Sequence, residues 1–201
     1  MIEKEGFGLM DAIVLASSSP RRRELLSQAG IPFIVIPGGV DEDKAELSGT
    51  PGQKAEQLAY MKALDVAKNV EKGLVLGADT IVVCGDEIFG KPSDEADARR
   101  MLESLSGREH FVITGVALID AGNGTVKKSF ETTKVRFSKL SAQEIQAYIN
   151  TGEPYGKAGA YAVQGRGALL VESLDGCYSN VVGLPLQRVA GMLKALGISV
   201  M

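Results

Sequence analysis

Short apolar runs alternate with segments of helical period along most of the chain, and glycine, proline and capping residues punctuate them. Ile13-Val14-Leu15 reads as a strand that leads through Ala16-Ser17-Ser18 to a helix start. Ser19 suits the N-cap, where its side-chain oxygen can accept from an unpaired helical N–H. Pro20 suits the first helical position, where its missing donor costs nothing. That helix extends to Ala29 and stops at Gly30. Phe33 to Ile36 predicts a buried strand closed by Pro37, and Asp41-Glu42-Asp43 predicts an acidic loop. Thr50-Pro51-Gly52-Gln53 has a capping-box arrangement. The helix it opens runs to about Asn69, with Leu58, Met61, Ala63 and Leu64 on its apolar face.

Leu74-Val75-Leu76 and Thr80 to Val83 predict two strands on either side of a Gly77-Ala78-Asp79 turn. Gly85-Asp86 turns the second into Glu87-Ile88-Phe89. Ser93 is the expected cap of the next helix, with Asp94 and Glu95 in its first turn and Gly107 at its end. His110 to Asp120 and Thr125 to Phe137 flank Ala121-Gly122-Asn123-Gly124 as a long antiparallel hairpin. Ser141 to Glu144 form a second capping box, and Gly152 stops that helix. A glycine-rich stretch, Gly156 to Gly167, follows. Leu169-Leu170-Val171 and Tyr178 to Val182 surround an Asp175-Gly176 turn, and Pro185 opens a last helix that stops at Gly197. Strand–helix alternation interrupted by hairpins predicts an α/β fold with a mixed, twisted sheet.

Composition narrows the function classes. With 201 residues the chain can form one sizeable core, or two lobes that share a cleft. The formal net charge of −3 disfavours general nucleic-acid affinity in spite of Arg21-Arg22-Arg23. Cys84 and Cys177 have no metal-ligand spacing and predict free thiols in a reducing compartment. A single histidine, His110, leaves no His-based zinc site and no Ser-His-Asp triad, and its place at a strand start predicts a structural role. No segment approaches the roughly 18 apolar residues of a membrane span. The charges at Glu3, Lys4 and Glu5, and the arginines directly behind the first apolar run, do not fit a secretory signal. These features predict a soluble, cytoplasmic protein, with residues 1–11 a frayed extension ahead of one domain at 12–201.

The candidate chemistry is anionic. A helix N-terminus carries partial positive charge and free N–H groups, and Arg21 and Arg22 add full charges beside Ser17 and Ser19. This suits a phosphate chain; the same features also suit a capped surface helix with a solvated basic turn. Asp79, placed after a strand, and Glu42, in the acidic loop, could supply two hard oxygen ligands to Mg²⁺ or Mn²⁺, or could serve as a turn and a solvated loop. Lys62 on a helix and Lys91 before Pro92 are candidate phosphate partners or exposed lysines. Lys157 and Gln164 lie in the glycine-rich stretch, where the backbone allows close approach and an amide can read a base edge.

Six ordered blocks carry a resemblance: Ala16-Ser17 through Leu26, Gly77-Ala78-Asp79-Thr80, Gly90-Lys91-Pro92, Leu105-Ser106-Gly107, Lys157 to Tyr161 with Gln164-Gly165, and Val182-Gly183-Leu184-Pro185. Over about Ala12 to Leu196 the chain resembles the Maf family of nucleoside triphosphate pyrophosphatases. The resemblance implies an elongated, two-lobed fold related to the inosine triphosphate pyrophosphatases, a central cleft, a homodimer, and a divalent cation such as Mg²⁺, Mn²⁺ or Co²⁺. It implies that Ser17, Arg21 and Arg22 form the phosphate-binding loop, and that Glu42, Lys62, Asp79, Lys91 and Gln164 are the other active-site positions. Arg23 should point outward, because successive helical residues diverge by about 100°.

The activity implied is hydrolysis of a nucleoside triphosphate between its α and β phosphates, giving the monophosphate and pyrophosphate. Arg21, Arg22, Lys62 and Lys91 would neutralise the phosphates. Asp79 would act as metal ligand or general base, Glu42 as metal ligand, and Ser17 as a hydrogen-bond donor. The Lys157–Gln164 segment resembles the branch acting on dTTP and UTP; the branch acting on 7-methylguanosine triphosphate has an acidic residue where Gln164 stands. The alternatives are that sister specificity, or a nucleotide-binding regulator of septum formation and cell division with little turnover.

Overall fold

The computed structural model describes residues 12–198 and 200, so the extension expected at residues 1–11 lies outside the described residues. The elements in chain order are β1 (Ile13–Leu15), α1 (Pro20–Gln28), β2 (Phe33–Val35), α2 (Pro51–Ala67), β3 (Leu74–Cys84) and β4 (Glu87–Phe89). They continue with α3 (Glu95–Leu105), β5 (Glu109–Asp120), β6 (Val126–Phe137), α4 (Ala142–Ile149), β7 (Val171–Asp175), α5 (Tyr178–Val182) and α6 (Leu186–Lys194). Short 3₁₀ turns lie at Glu42–Lys44, Ala158–Ala160 and Gly165–Leu170. The sheet is mixed, as expected. Its order is β2-β1-β3-β5-β6-β7, with β1 parallel to both β2 and β3, the β3-β5-β6-β7 pairs antiparallel, and β4 also paired with β3.

β3 organises the molecule. One edge pairs with β5 from Leu74 to Val83. Its other edge is shared: β1 pairs with Val75 and Leu76, and β4 pairs with Val82 to Cys84. Among the described residues, Ala78 to Ile81 therefore have no strand on that side. β1 leaves the sheet beside Leu76, with Ala16 N donating to Leu76 O, and β4 leaves it at Phe89 beside Val82. The chain segments that leave these two strand ends flank a gap in the sheet edge, a natural place for a ligand in an α/β fold.

The expected turn at Gly77-Ala78-Asp79 is corrected: these residues lie inside one continuous strand. Asp79 thus projects from mid-strand, opposite Gly115, and not from a strand end. Gly77 serves a different purpose. A Cβ there would lie 2.1 Å from Ala59 O, and one at Gly115 would lie 2.2 Å from Ala55 O. The two glycines let α2 lie directly on β3 and β5.

Other local expectations shift for physical reasons. Phe33–Val35 is an edge strand, not a buried one, and Ile34 is exposed. Asp94, not Ser93, caps α3; its side chain accepts from Asp97 N at 2.8 Å. Ser19 occupies the N-cap of α1 but makes no side-chain cap bond; Ser17 Oγ instead accepts from Ser19 N at 3.2 Å. Tyr178–Val182 forms a helical turn because Asn180 is drawn inside, where its Nδ2 donates to Val112 O and Thr133 Oγ1. Both capping boxes, at Thr50 and Ser141, form as expected.

One apolar core gathers α3, α4 and the ends of β5 and β6 around Phe89, Leu102, Phe137 and Tyr161. A second gathers α1, α6 and β1 around Leu15, Leu26, Leu76 and Leu193. On the opposite sheet face α2 packs Ala59, Ala63 and Val66 against Val14, Val75 and Ile119. Cys84 and Cys177 are free thiols. No helix among the described residues is long and apolar enough to cross a membrane.

Candidate active site

The gap in the β3 edge opens into a cavity of about 690 Å³. Ser17, Arg21, Arg22, Glu42, Lys62, Asp79, Lys91, Lys157 and Gln164 all line it. These residues come from the β1–α1 loop, α1, the 3₁₀ turn after β2, α2, β3, the segment after β4 and the segment after α4. Every residue singled out as a candidate thus reaches one place. Its charged lining comprises five cations and two carboxylates, a balance suited to a polyphosphate.

The centre of the site is a pair of carboxylates around one ammonium. Asp79 lies two residues beyond Gly77 on the same strand face, and Lys62 lies one helical turn beyond Ala59. The contact between Gly77 and Ala59 therefore brings Lys62 over Asp79. Lys62 Nζ donates to Asp79 Oδ1 at 2.6 Å and sits 2.8 Å from Glu42 Oε1. Lys91 Nζ is 3.5 Å from the same Glu42 oxygen. Asp79 is 5 % exposed, whereas Glu42 has 37 % of its side chain in contact with solvent. Burial alone would raise the Glu42 carboxyl, but Lys62, followed by Lys91, overcomes it and holds the group below the usual carboxylate range.

The arginines are fixed differently. Arg22 Nε donates to Gly183 O at 2.8 Å, and its two terminal nitrogens donate to Ser17 Oγ at 3.0 Å and Thr80 Oγ1 at 3.2 Å. Arg22 therefore ties the β1–α1 loop, β3 and the end of α5 together, and each terminal nitrogen retains one N–H. Arg21 Nε donates to Val182 O at 3.2 Å. Burial lowers the pKa of both guanidinium groups, in Arg22 against the attraction of Asp79, yet arginine stays charged at any working pH. Arg23 points into solvent, as helical geometry requires.

On the far wall, Lys157 Nζ donates to the Glu153 carbonyl, and burial, followed by the nearby Arg21 charge, lowers its pKa. Gly159 N donates to Gly90 O at 3.0 Å, linking this wall to the residue before Lys91. Gly159 and Ala160 both have left-handed φ, +68° and +59°. For Ala160 this conformation carries strain. His110 is fully buried, with Nε2 2.7 Å from Tyr161 Oη, and burial pushes its pKa down to about 4. It is a neutral core residue, as its sequence position predicts.

Two carboxylate oxygens that converge on one cation have the donor chemistry of a hard divalent ion's protein ligands. Among the described residues, no group of three or more His, Cys, Asp or Glu side chains is arranged to hold an ion. Glu42 and Asp79 would thus need phosphate oxygens and water to complete the shell, which is how Mg²⁺ usually binds.

Thr80, Thr114 and Asn180, to which sequence reasoning assigned no role, support the site. Thr80 Oγ1 and Thr114 Oγ1 are 2.9 Å apart, and Thr114 donates to Asn180 O at 3.0 Å. The available signal was threonine at an inward strand position, which looks like valine in a hydrophobicity pattern.

Comparison with known proteins gives a consistent result. Residues 12–196 match the Maf family, described as Maf-like protein. A protein named dTTP/UTP pyrophosphatase from Ruminiclostridium cellulolyticum is 58 % identical over 187 residues, covering 93 % of this chain and 97 % of that protein. One of the same name from Pelotomaculum thermopropionicum is 51 % identical over 192 residues, covering 96 % and 100 %. A solved nucleoside-triphosphatase, dITP/XTP pyrophosphatase, from Mycobacterium abscessus overlays with a TM-score of 0.46 at 15 % identity, covering 93 % of this chain and 97 % of the other. That likeness is too loose to bear on function.

Proposed function

The chain belongs to the Maf family, and on that premise we propose that it is a pyrophosphatase that hydrolyses dTTP and UTP to the monophosphate and pyrophosphate. The observation that carries this reading is the convergence of five cations and two carboxylates on one cavity at the open edge of β3. The full-length relatives named dTTP/UTP pyrophosphatase favour pyrimidine specificity over the 7-methylguanosine alternative.

In this reading Arg21, Ser17 and the free N–H groups of Arg22 bind the phosphate chain. Lys62, Lys91 and Lys157 offset its charge and the charge that develops on the pyrophosphate leaving group. Water adds across the α–β anhydride, and Asp79 would serve either as the general base that takes its proton or as a metal ligand. Ser17 Oγ already accepts from Ser19 N and Arg22, and no histidine stands beside it to activate it, so it serves as a hydrogen-bonding group. A divalent cation, Mg²⁺, Mn²⁺ or Co²⁺, held by Glu42 and Asp79, would supply Lewis acidity and lower the pKa of water. The Gln164 amide offers both a donor and an acceptor, as a uracil or thymine edge requires.

The two apolar cores either side of the cavity support a two-lobed domain over residues 12–201. The free thiols support a cytoplasmic location. Exposed apolar groups such as Phe111 and Leu169 are compatible with a homodimer. A panel of nucleoside triphosphates assayed with each metal tests the assignment: dTTP and UTP should be turned over in preference to GTP and its 7-methyl form. Preference for either guanosine substrate would overturn the pyrimidine assignment.

A further inference from the structure

Gln164 stands on a loop whose neck is held from both sides by side chains outside the cavity's charged set. A Cβ on Gly167 would lie 2.1 Å from Ala162 O, so the chain returns on itself between residues 162 and 167. On the incoming side, Tyr148 Oη of α4 accepts from Ala162 N at 3.2 Å. On the outgoing side, Glu153 Oε1 accepts from Arg166 N at 3.0 Å, and Oε2 from Gly167 N at 3.1 Å. Gly165 turns with φ +62°, and a Cβ there would press within 2.8 Å of Glu153 Oε1. The two holding residues are themselves joined: Thr151 Oγ1 donates to Tyr148 O at 2.6 Å and accepts from Glu153 N at 3.0 Å.

Tyr148 is 4 % exposed, and burial holds its hydroxyl protonated, with a pKa near 12. For Glu153, the backbone N–H groups outweigh a burial effect that acts the other way, so the carboxyl stays below the usual range. The Lys157 ammonium, on the Glu153 carbonyl, belongs to the same arrangement. Gln164 itself makes no side-chain hydrogen bond among the described residues, so its aim depends on the backbone that carries it.

We infer that Tyr148 and Glu153 are positioning residues: together they fix the Gln164 loop, and the rigidity they impose sets how strictly the enzyme discriminates among bases. This rests on the reading of Gln164 as the base-facing amide in a nucleotide pyrophosphatase. A fixed amide presents its donor and acceptor in one orientation, and a base with a mismatched edge leaves a buried polar group unpaired. A loop free to move can turn its amide to suit several edges, and discrimination is lost.

The test uses Tyr148→Phe and Glu153→Gln separately, since each keeps the shape of its residue and acts on a different side of the neck. For wild type and both variants, kcat and KM are measured for dTTP, UTP, CTP, ATP and GTP, with inhibition by inorganic pyrophosphate as a probe that has no base. The expected result is at least a tenfold narrowing of kcat/KM between best and worst substrate, mostly through KM of the best. The pyrophosphate inhibition constant should stay within twofold of wild type. An unchanged spread in both variants overturns the inference, as does a uniform loss across all substrates together with weaker pyrophosphate inhibition. If wild type prefers a purine, the pyrimidine assignment fails, while the narrowing still decides the role of the two residues. If wild type shows no spread, the inference fails as well.

Discussion

Lys62→Met separates what Lys62 does for the fold from what it does for phosphate. Methionine fills nearly the same volume, so little of the effect comes from a cavity. The substitution removes the ammonium 2.6 Å from Asp79 and 2.8 Å from Glu42. It removes the close ion pair of a 5 %-exposed carboxylate, leaving it with only the longer-range charge of Arg22 and with Glu42 nearby. Removing one member of a buried pair typically costs about 3–5 kcal/mol. Glu42 is partly hydrated and Lys91 is well exposed, so the lower end, about 3 kcal/mol, applies here. At this chain length that is a fall in Tm of about 6–12 °C. A folded carboxyl held below its ordinary value stabilises the fold above that value, and the contribution disappears as pH falls through the folded value. Glu42 is such a group, with an ordinary value of 4.5. The gap between wild type and variant should therefore be full at pH 7 and shrink below about pH 4.5. Adding Asp79→Asn to Lys62→Met should recover most of the lost Tm, because no buried charge is then orphaned, without restoring turnover. Thermal melting and steady-state kinetics on the three proteins check this. A single variant that melts within about 2 °C of wild type, or a double variant that recovers nothing, would mean that Lys62 does not hold a buried carboxylate in the fold.

Thr80→Val keeps the strand's shape but removes the oxygen that accepts from Arg22; kcat/KM should fall about 5- to 30-fold, and Thr80→Ser should restore it. Gly77→Ala forces α2 off β3, because the new methyl meets the backbone oxygen of Ala59. Urea denaturation should show a loss of about 3 kcal/mol or more, whereas Gly191→Ala, in an open position on α6, should stabilise by about 0.5–1 kcal/mol. His110 is neutral in the folded protein, with a pKa near 4 against an ordinary 6.5, so protons favour the unfolded chain as pH drops between those values. Between pH 7 and pH 4.5 it should account for about 2–3 kcal/mol of lost stability. His110→Phe, though destabilised at both pH values, should show a correspondingly smaller drop.

The strand–helix order, both capping boxes and the long hairpin were legible because each depends on local chemistry; that nine separate candidate residues would line one cavity is a tertiary result that the ordered motifs only suggested. Gly77 misled because glycine carries two meanings in a strand pattern. It marks a turn when the backbone needs left-handed φ, and a close approach when a neighbouring helix leaves no room for Cβ, and only the tertiary partner Ala59 decides between them. Tyr178–Val182 looks extended by its β-branched end, but Asn180 bonds to β5 and β6, and no local window contains those partners. The supports of the site were hidden for the same reason. Thr80, Tyr148 and Glu153 act through residues 34, 14 and 13 or more positions away, and each has an ordinary role in its local pattern.

Which bond is cut distinguishes a pyrophosphatase from a phosphatase or a nucleotide-binding protein. Purified protein should be incubated with dTTP and a divalent metal, and the products resolved by phosphorus NMR. dTMP and pyrophosphate should appear in equal amounts from the first turnover, with no dTDP. Release of orthophosphate and dTDP, or tight binding of dTTP without hydrolysis under any of the three metals, would contradict the pyrophosphatase reading.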